Sequence, residues 1–169
     1  MKTTNNEVTF AEVPDEIALC INISGCPIHC KGCHSTFLWE DVGEPLTLTL
    51  VCKLIDNNPG VSCICFMGGI QDPQYIISLT KAIRELYDIK IAWYVGVSLF
   101  KLLKYHKEFY LFDYLKVGAY KEKRGPLTSE RTNQRFYKVE GKHLWNLKDI
   151  TYKFWKNDSR NNYSTSKSS

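Results

Sequence analysis

Three cysteines within eight residues are the part of this chain best suited to chemistry. They are Cys26, Cys30 and Cys33, spaced C-x3-C-x2-C directly after an apolar run. Thiolates are soft ligands, and one short loop can aim three of them at a four-iron, four-sulfur cluster. The fourth iron would then lack a protein ligand, so it could bind a cofactor or substrate, as a catalytic metal with an open position does.

Two other kinds of metal site have to be weighed against an open cluster. A structural zinc site usually has a second cysteine knuckle, which this sequence lacks, although His29 or His34 could supply a fourth zinc ligand. A closed ferredoxin cluster needs a fourth cysteine in a ligand loop. The remaining cysteines lie in apolar segments: Cys20, Cys52, Cys63 and Cys65. The spacing therefore favours the open cluster, with zinc as the next interpretation.

Composition narrows the class of protein. Seven cysteines is an odd number for a disulfide framework, and the first residues contain no hydrophobic segment typical of a secretion signal. No apolar run approaches the roughly 18 residues that span a bilayer. The net charge is +4, and the basic residues form no stripe with interleaved aromatics. We expect a soluble, cytoplasmic protein that binds neither a membrane nor nucleic acid.

Strand and helix patterns alternate along the chain and must position the cysteines. Apolar runs predict strands at 8–13, 17–24, 62–67, 89–95 and 112–117, and helical spacing predicts helices at 46–56, 73–87 and 98–105. Such an order favours parallel strands joined by right-handed crossovers, with the active site at the carboxyl ends of the strands.

The length of the chain limits how far such a sheet can curl. It is too short for a closed eight-fold barrel of about 250 residues. We therefore predict an α/β fold, a partial, open (βα) barrel forming a single domain over residues 1–155. A polar disordered tail is predicted at 156–169.

Two further motifs connect the cysteine loop to a known family. The loop, followed by Phe-Met-Gly-Gly at 66–69, resembles the radical S-adenosylmethionine superfamily. The segments Arg-Gly-Pro-Leu-Thr-Ser at 124–129 and Thr-Asn-Gln-Arg-Phe-Tyr at 132–137 are similar to the activating proteins of anaerobic (class III) ribonucleoside-triphosphate reductases. The resemblance covers roughly residues 8–155.

The resemblance implies an enzyme with two cofactors. Cys26, Cys30 and Cys33 would ligate three irons of a 4Fe-4S cluster, and S-adenosylmethionine would chelate the fourth. An electron passed into the cluster would cleave the bond from sulfonium to C5′. The resulting 5′-deoxyadenosyl radical would take a hydrogen atom from a glycine of the reductase, leaving a glycyl radical.

The same resemblance implies the partners. They are the large subunit of the anaerobic reductase and a flavodoxin or ferredoxin as electron donor. Two alternatives stay open at this point: activation of another glycyl-radical enzyme, such as a pyruvate formate-lyase relative, or a non-enzymatic iron-sulfur or zinc protein.

Position by position, the resemblance assigns cofactor contacts to Gly32, Cys33 and His34 around the last ligand. It also assigns them to Gly68 and Gly69, whose carbonyls would accept from the methionine amino group. A solvated loop is the alternative interpretation for His34 and His29. The acidic residue that commonly follows the paired glycines is displaced, since Ile70 and Gln71 precede Asp72.

The remaining candidates have a structural and a functional interpretation each. Cys63 and Cys65 share one strand face and are expected to be small buried hydrophobes. Tyr94 and Gly96 either line the cofactor pocket or pack in the core. The other polar candidates lie further along the chain. Asp113 and Lys116 either face the site or face solvent, and Asn133, Gln134 and Arg135 either bind the reductase or the cofactor or form a surface turn.

Overall fold

Strands and helices alternate in the order that the sequence predicts, with additional short strands. A computed structural model of the protein describes residues 1–105 and 107–155. The predicted tail at 156–169 lies outside the described residues.

The strands are β1 (Lys2–Thr3), β2 (Glu7–Thr9), β3 (Ala18–Asn22), β4 (Glu44–Pro45), β5 (Cys63–Met67), β6 (Lys90–Tyr94), β7 (Tyr114–Val117), β8 (Arg135–Val139) and β9 (Leu147–Asp149). The α-helices are α1 (Leu48–Asp56), α2 (Pro73–Leu86) and α3 (Leu99–Tyr105), and 3-10 turns lie at Thr36–Leu38, Lys107–Leu111, Glu122–Arg124, Leu144–Asn146 and Thr151–Phe154.

Both longer helices begin at side-chain caps. The Thr47 hydroxyl accepts from the backbone N–H of Leu50 at 3.1 Å, ahead of α1. Asp72 accepts from the backbone N–H of Tyr75 at 3.1 Å, and Pro73 occupies the first turn of α2, where its missing N–H costs no hydrogen bond. The caps fix where each helix leaves the sheet.

Seven strands form one mixed sheet in the order β2-β3-β5-β6-β7-β8-β9. The four central strands β3, β5, β6 and β7 are parallel, whereas β2, β8 and β9 pair antiparallel with their neighbours. The single-domain α/β fold is therefore confirmed. The prediction of parallel strands holds for the centre of the sheet and is wrong at both sides, and within the described residues the sheet is open.

The sheet has two differently covered faces. Because the parallel strands lie in chain order and crossovers share one hand, the helices pack on one face, which we call the outer face. Its core includes Ile21, Phe66 and Trp93 from the strands and Ile76 from α2. The opposite, inner face carries the alternate strand residues, and its buried members are Ala18, Cys20, Cys63, Cys65, Ala92, Tyr94, Tyr114 and Phe136.

Chain segments outside the helices cover the inner face. Val13 and Ile150 are buried against it, and Phe154 packs on Phe136 with ring centroids 5.0 Å apart. The strand predicted at 8–13 is thus correct only at Val8 and Thr9, which lie in β2 (Glu7–Thr9), because the chain turns at residue 10 to bring Val13 onto the inner face. These side chains cover the inner face of the open sheet, and the partial, open barrel stays a prediction.

Candidate functional site

The three cysteines lie in a loop closed on itself by backbone hydrogen bonds. We call residues 25–40 the cysteine loop. The N–H of Gly25 donates to the carbonyl of Glu40 at 3.1 Å, and the N–H of Cys26 donates to the carbonyl of Leu38 at 2.9 Å. A surface loop whose ends meet and whose own residues fill it is an Ω-loop, a common carrier of functional groups. It follows β3 at the carboxyl end of the parallel strands.

A tight turn sets the distance between the second and third cysteines. The N–H of Cys33 donates to the carbonyl of Cys30 at 3.0 Å, and Gly32 inside this turn has φ 74°. A side chain is strained in that backbone conformation, so glycine is required here by the turn. A Cβ atom at Gly32 would also meet the Glu122 carboxyl group at 3.2 Å.

All three loop thiols are partly exposed and form no disulfide. Soft, unpaired thiols of this kind fit an iron-sulfur cluster, in which each thiolate binds its own iron. In the part of the chain that the structure describes, no three histidine, cysteine, aspartate or glutamate side chains form a group suited to a single metal ion. Cys26, Cys30 and Cys33 are the residues that would hold a cluster.

The other described cysteines lie away from the loop. Cys20, Cys63 and Cys65 are buried in β3 and β5, and Cys52 is on α1. Burial raises the pKa of the Cys63 and Cys65 thiols, as expected for inert core groups. The Cys65 Sγ lies 3.4 Å from the Met67 sulfur. The expectation that Cys63 and Cys65 are buried is confirmed.

The two loop histidines have different surroundings. The His29 ring stacks on the Trp39 ring, with centroids 4.7 Å apart and an angle of 17° between the planes. Both histidines are exposed to solvent, and His29 differs from His34 in that its ring contacts a residue of the same loop. The indole N–H of Trp39 is buried and has no acceptor among the described residues. A buried donor within the loop, without an acceptor in the described part of the chain, is a group that a cluster sulfur could satisfy.

The paired glycines lie against the start of the cysteine loop. The Gln71 amide, next in the same turn, donates to the carbonyl of Ser24 at 2.8 Å. The carbonyl of Gly68 accepts from the indole N–H of Trp93 at 2.7 Å, and that of Gly69 accepts from the N–H of Asp72 at 3.2 Å. Each carbonyl retains a second lone pair, so a contact with a methionine amino group stays a prediction.

Close packing also explains the second glycine. A Cβ atom at Gly69 would lie 2.7 Å from Ile76 Cγ1 on α2. The position of Asp72 has a structural reason as well, because its carboxylate caps α2. The two residues between the glycines and the acidic position therefore complete a turn that leads into a capped helix.

An apolar pocket of about 330 Å³ lies between the cysteine loop, the turn after Gly68 and Gly69, and α3. Its lining residues are Pro27, Ile28, Ile70, Pro73, Val97, Lys101 and Leu102. Gly96, at the end of β6, lies under Ile28, so Gly96 supports the loop. Tyr94 is buried on the inner face, and its hydroxyl donates to the carbonyl of Glu12.

Lys116 brings a positive charge to the site from β7. Its register partners are Tyr94 and Phe136, so it faces the inner side of the sheet near the carboxyl edge. Burial lowers the pKa of Lys116 to about 8, while Cys30, Glu12, Cys33 and Cys26 favour the charged form. Strand alternation relative to Tyr94 could have indicated this face, but only with the strand register known.

The sequence-predicted candidates downstream mostly serve the fold. Asp113 lies at the amino end of β7, where its carboxylate accepts from Arg84 and from the N–H of Ile91, so it faces away from the cysteine loop. Asn133 donates to the carbonyl of Ala119 at 2.9 Å, and buried Gln134 donates to that of Gly118 at 3.2 Å. Arg135 begins β8, a strand that the sequence interpretation missed.

A second groove, of about 490 Å³, opens on the outer face beside α3. It is lined by Phe100, Lys121, Asn133, Arg135 and Tyr137, among other residues. Asn133 and Arg135 therefore reach a surface, although on the opposite face of the sheet from Lys116. Among the described residues, no helix is long and apolar enough to cross a membrane.

Comparison with known proteins agrees with the chemistry of the loop. Neither a curated protein nor a solved structure matches the chain. A family model described as a 4Fe-4S single cluster domain matches residues 17–140, more than half of the chain and all three loop cysteines. The chain therefore belongs to the 4Fe-4S single cluster domain family.

Proposed function

We propose that this protein is a radical S-adenosylmethionine enzyme that activates an anaerobic ribonucleoside-triphosphate reductase by generating its glycyl radical. The observation that carries the proposal is the set of three unpaired thiols, with the other described cysteines in β3, β5 and α1. Three ligands leave one iron of a 4Fe-4S cluster open, and membership in a 4Fe-4S family supports such a cluster. The central parallel strands are compatible with a partial barrel.

The chain's own residues would bind and position the cofactors. Cys26, Cys30 and Cys33 hold the cluster, and the turn at Gly32 fixes the separation of the last two thiols. A 4Fe-4S cluster bound here would supply the one electron that cleavage of S-adenosylmethionine to methionine requires, and the adenosyl product would take its hydrogen atom from the reductase glycine to become 5′-deoxyadenosine. Gly68 and Gly69 lie beside the loop, where a second acceptor position on each carbonyl can take the methionine amino group.

One feature on the protein side favours a protected reaction. Apolar residues line the pocket beside the loop, and such a lining excludes water that would quench a reactive intermediate. The reductase large subunit is the proposed recipient of the radical, and a flavodoxin or ferredoxin is the proposed electron donor. Both partners are inferred from the resemblance of the 124–129 and 132–137 segments.

Anaerobic reconstitution with iron and sulfide, followed by reduction with dithionite and addition of S-adenosylmethionine, tests the activity. We expect four irons per chain and formation of 5′-deoxyadenosine, with Cys33→Ala as the inactive control. A tightly held zinc ion without cleavage would rule out the enzyme. An intact cluster without cleavage would instead identify an electron carrier.

The partner requires a separate experiment. We expect a glycyl signal in electron paramagnetic resonance of an anaerobic reductase when this protein, the reductant and S-adenosylmethionine are all present. Omitting any one of the three should remove the signal. A signal on a pyruvate formate-lyase relative, with none on the reductase, would reassign the substrate while keeping the chemistry.

A further inference from the structure

The cation of Lys116 is held at the inner face by an aromatic ring and a backbone carbonyl. Its ammonium lies 5.7 Å from the centre of the Tyr94 ring and donates to the carbonyl of Gly118 at 3.3 Å. No carboxylate in residues 1–105 and 107–155 forms an ion pair with it. An aromatic face and one carbonyl stabilise a cation less than a buried carboxylate does.

The cysteine loop lies over the ends of the strands that carry Tyr94 and this cation. Cys26, Cys30 and Cys33 all lie within electrostatic range of Lys116, together with the Glu12 carboxylate. The loop reaches toward β7 because Ile28 covers Gly96 at the end of β6 and Gly32 lies beside Glu122 after β7. Lys116 is therefore on the strand below the loop that carries the ligands.

A fixed cation near a cluster has a definite physical effect. One-electron reduction adds one negative charge to the cluster, and a nearby positive charge stabilises the reduced form more than the oxidised form. The effect is larger in a partly buried site than in water, where salt and solvent screen it. Iron-sulfur potentials vary with local charge, hydrogen bonding and exposure.

We propose that Lys116 raises the reduction potential of the cluster held by Cys26, Cys30 and Cys33 and so eases entry of the electron. The inference rests on the proposed function only in placing a cluster at these cysteines. The redox step is transfer of one electron from a low-potential one-electron reductant to the oxidised cluster. Lys116 keeps its proton throughout and acts only through its positive charge. It is therefore not a catalytic residue.

The test is a redox titration of the reconstituted full-length protein at pH 7 in the absence of S-adenosylmethionine. The reduced cluster is measured by electron paramagnetic resonance at each potential. Lys116→Met removes the charge and keeps the length of the side chain. At the potential where half of the wild-type cluster is reduced, we expect about a tenfold lower ratio of reduced to oxidised cluster, which corresponds to 59 mV for one electron.

Two matched variants isolate the charge at position 116. Lys116→Arg keeps it and should stay within about twofold of the wild-type ratio, since guanidinium is always protonated. Lys123→Met removes an exposed charge from the Glu122–Arg124 turn and should leave the ratio unchanged, because exposed charges are screened. Lys116→Gln is a second neutral variant in case Lys116→Met does not fold.

Each remaining outcome has a fixed meaning. A ratio within twofold of wild type in a neutral Lys116 variant would overturn the inference. Loss of the cluster from both neutral variants with the fold intact would also overturn it and assign Lys116 to holding the loop. A wild-type cluster that does not cleave S-adenosylmethionine removes the proposed function but leaves the Lys116 titration valid, whereas a wild-type protein that assembles no cluster ends both.

Discussion

Ile28 lies over Gly96, so closely that a Cβ atom at position 96 would come within 2.9 Å of Ile28 Cγ1. Ile28 is between the first two cysteines of the loop, and Gly96 follows a central strand of the sheet. This contact joins the cysteine loop to the rigid part of the fold. The placement of the thiols thus depends on a residue that bears no functional group.

Gly96→Ala should displace the cysteine loop while leaving the sheet intact. The added methyl group overpacks the contact with Ile28, at a cost of about 1 kcal/mol to loop placement. That corresponds to about fivefold faster loss of cluster iron to a chelator. Gly60→Ala is the control, because Gly60 has φ 95° with open space around it, so the variant should lower the melting temperature without changing iron release. Equal iron release in both variants would show that the contact is not what holds the loop.

Replacing the cysteines one at a time should separate ligands from core residues. Cys26→Ala, Cys30→Ala and Cys33→Ala should each prevent assembly of the 4Fe-4S cluster, measured by iron and sulfide content and by visible absorption. Cys63→Ala and Cys65→Ala leave small gaps in the inner face and should cost about 1 kcal/mol of stability with the cluster retained. Loss of cluster iron in the second pair would contradict their assignment as core residues.

Glu16 lies at the amino ends of the parallel strands, and its hydrogen-bonded carboxylate should make the free energy of unfolding depend on pH. Glu16 is buried and accepts from Ser62 and Tyr114, at 2.7 Å each, and from Lys90. Burial alone would raise the pKa of Glu16, but the hydrogen bonds from Lys90, Tyr114 and Ser62 together hold it below its ordinary value of 4.5. A carboxylate with a lowered folded-state pKa contributes stability above pH 4.5, and that contribution is lost as pH falls through the folded-state pKa.

Glu16→Gln should therefore lower the free energy of unfolding by about 2 kcal/mol at pH 7, since it removes charged hydrogen bonds. The difference from wild type should shrink steadily as the pH falls below 4.5, because the wild-type carboxylate then also becomes neutral. Denaturant unfolding of the cluster-free proteins at several pH values measures this difference in the free energy of unfolding. Glu85→Gln on the exposed side of α2 should match wild type throughout, and a pH-independent difference for Glu16→Gln would contradict the linkage.

Asp72 offers a test between a helix cap and a cofactor ligand. Asp72→Ala removes the acceptor for the N–H of Tyr75 and should cost about 1 kcal/mol. Asp72→Asn can cap nearly as well and should melt close to wild type. If the protein binds S-adenosylmethionine as proposed, both variants should bind it with the wild-type affinity, measured on the reconstituted protein. A normal melting temperature with weakened binding in Asp72→Asn would make the carboxylate a ligand.

The central strands were predictable because each is apolar on both faces. Runs such as Cys63–Met67 and Lys90–Tyr94 are covered by helices on one side and by chain segments on the other, so they read as continuous hydrophobic stretches. The cysteine loop could also be found from the sequence, since its three cysteines lie within one short segment, and the family match supports an iron-sulfur cluster while the identity of the ligands stays a prediction. A short stretch of sequence is enough to predict such features, because each is determined by residues that are close together in the chain.

Other features depend on contacts between distant residues. Arg135–Val139 is half-buried and pairs antiparallel with β7, so its sequence has no long apolar run to mark it as a strand. Lys116 shares a face with Tyr94 only through the register of two strands that are separated by α3. The support of the loop by Gly96 likewise depends on how the loop folds back over β6.

The two segments that cover the inner face, near residues 13 and 150, should unfold locally before the central sheet does. Val13 and Ile150 bury their side chains there, and Lys153 pairs with the Asp15 carboxylate across the two segments. Both segments lie outside the helices and strands of the central sheet, so they can detach together without breaking the parallel ladder. Amide hydrogen exchange should show residues near 13 and 150 exchanging as one cooperative unit, earlier than β5 and β6.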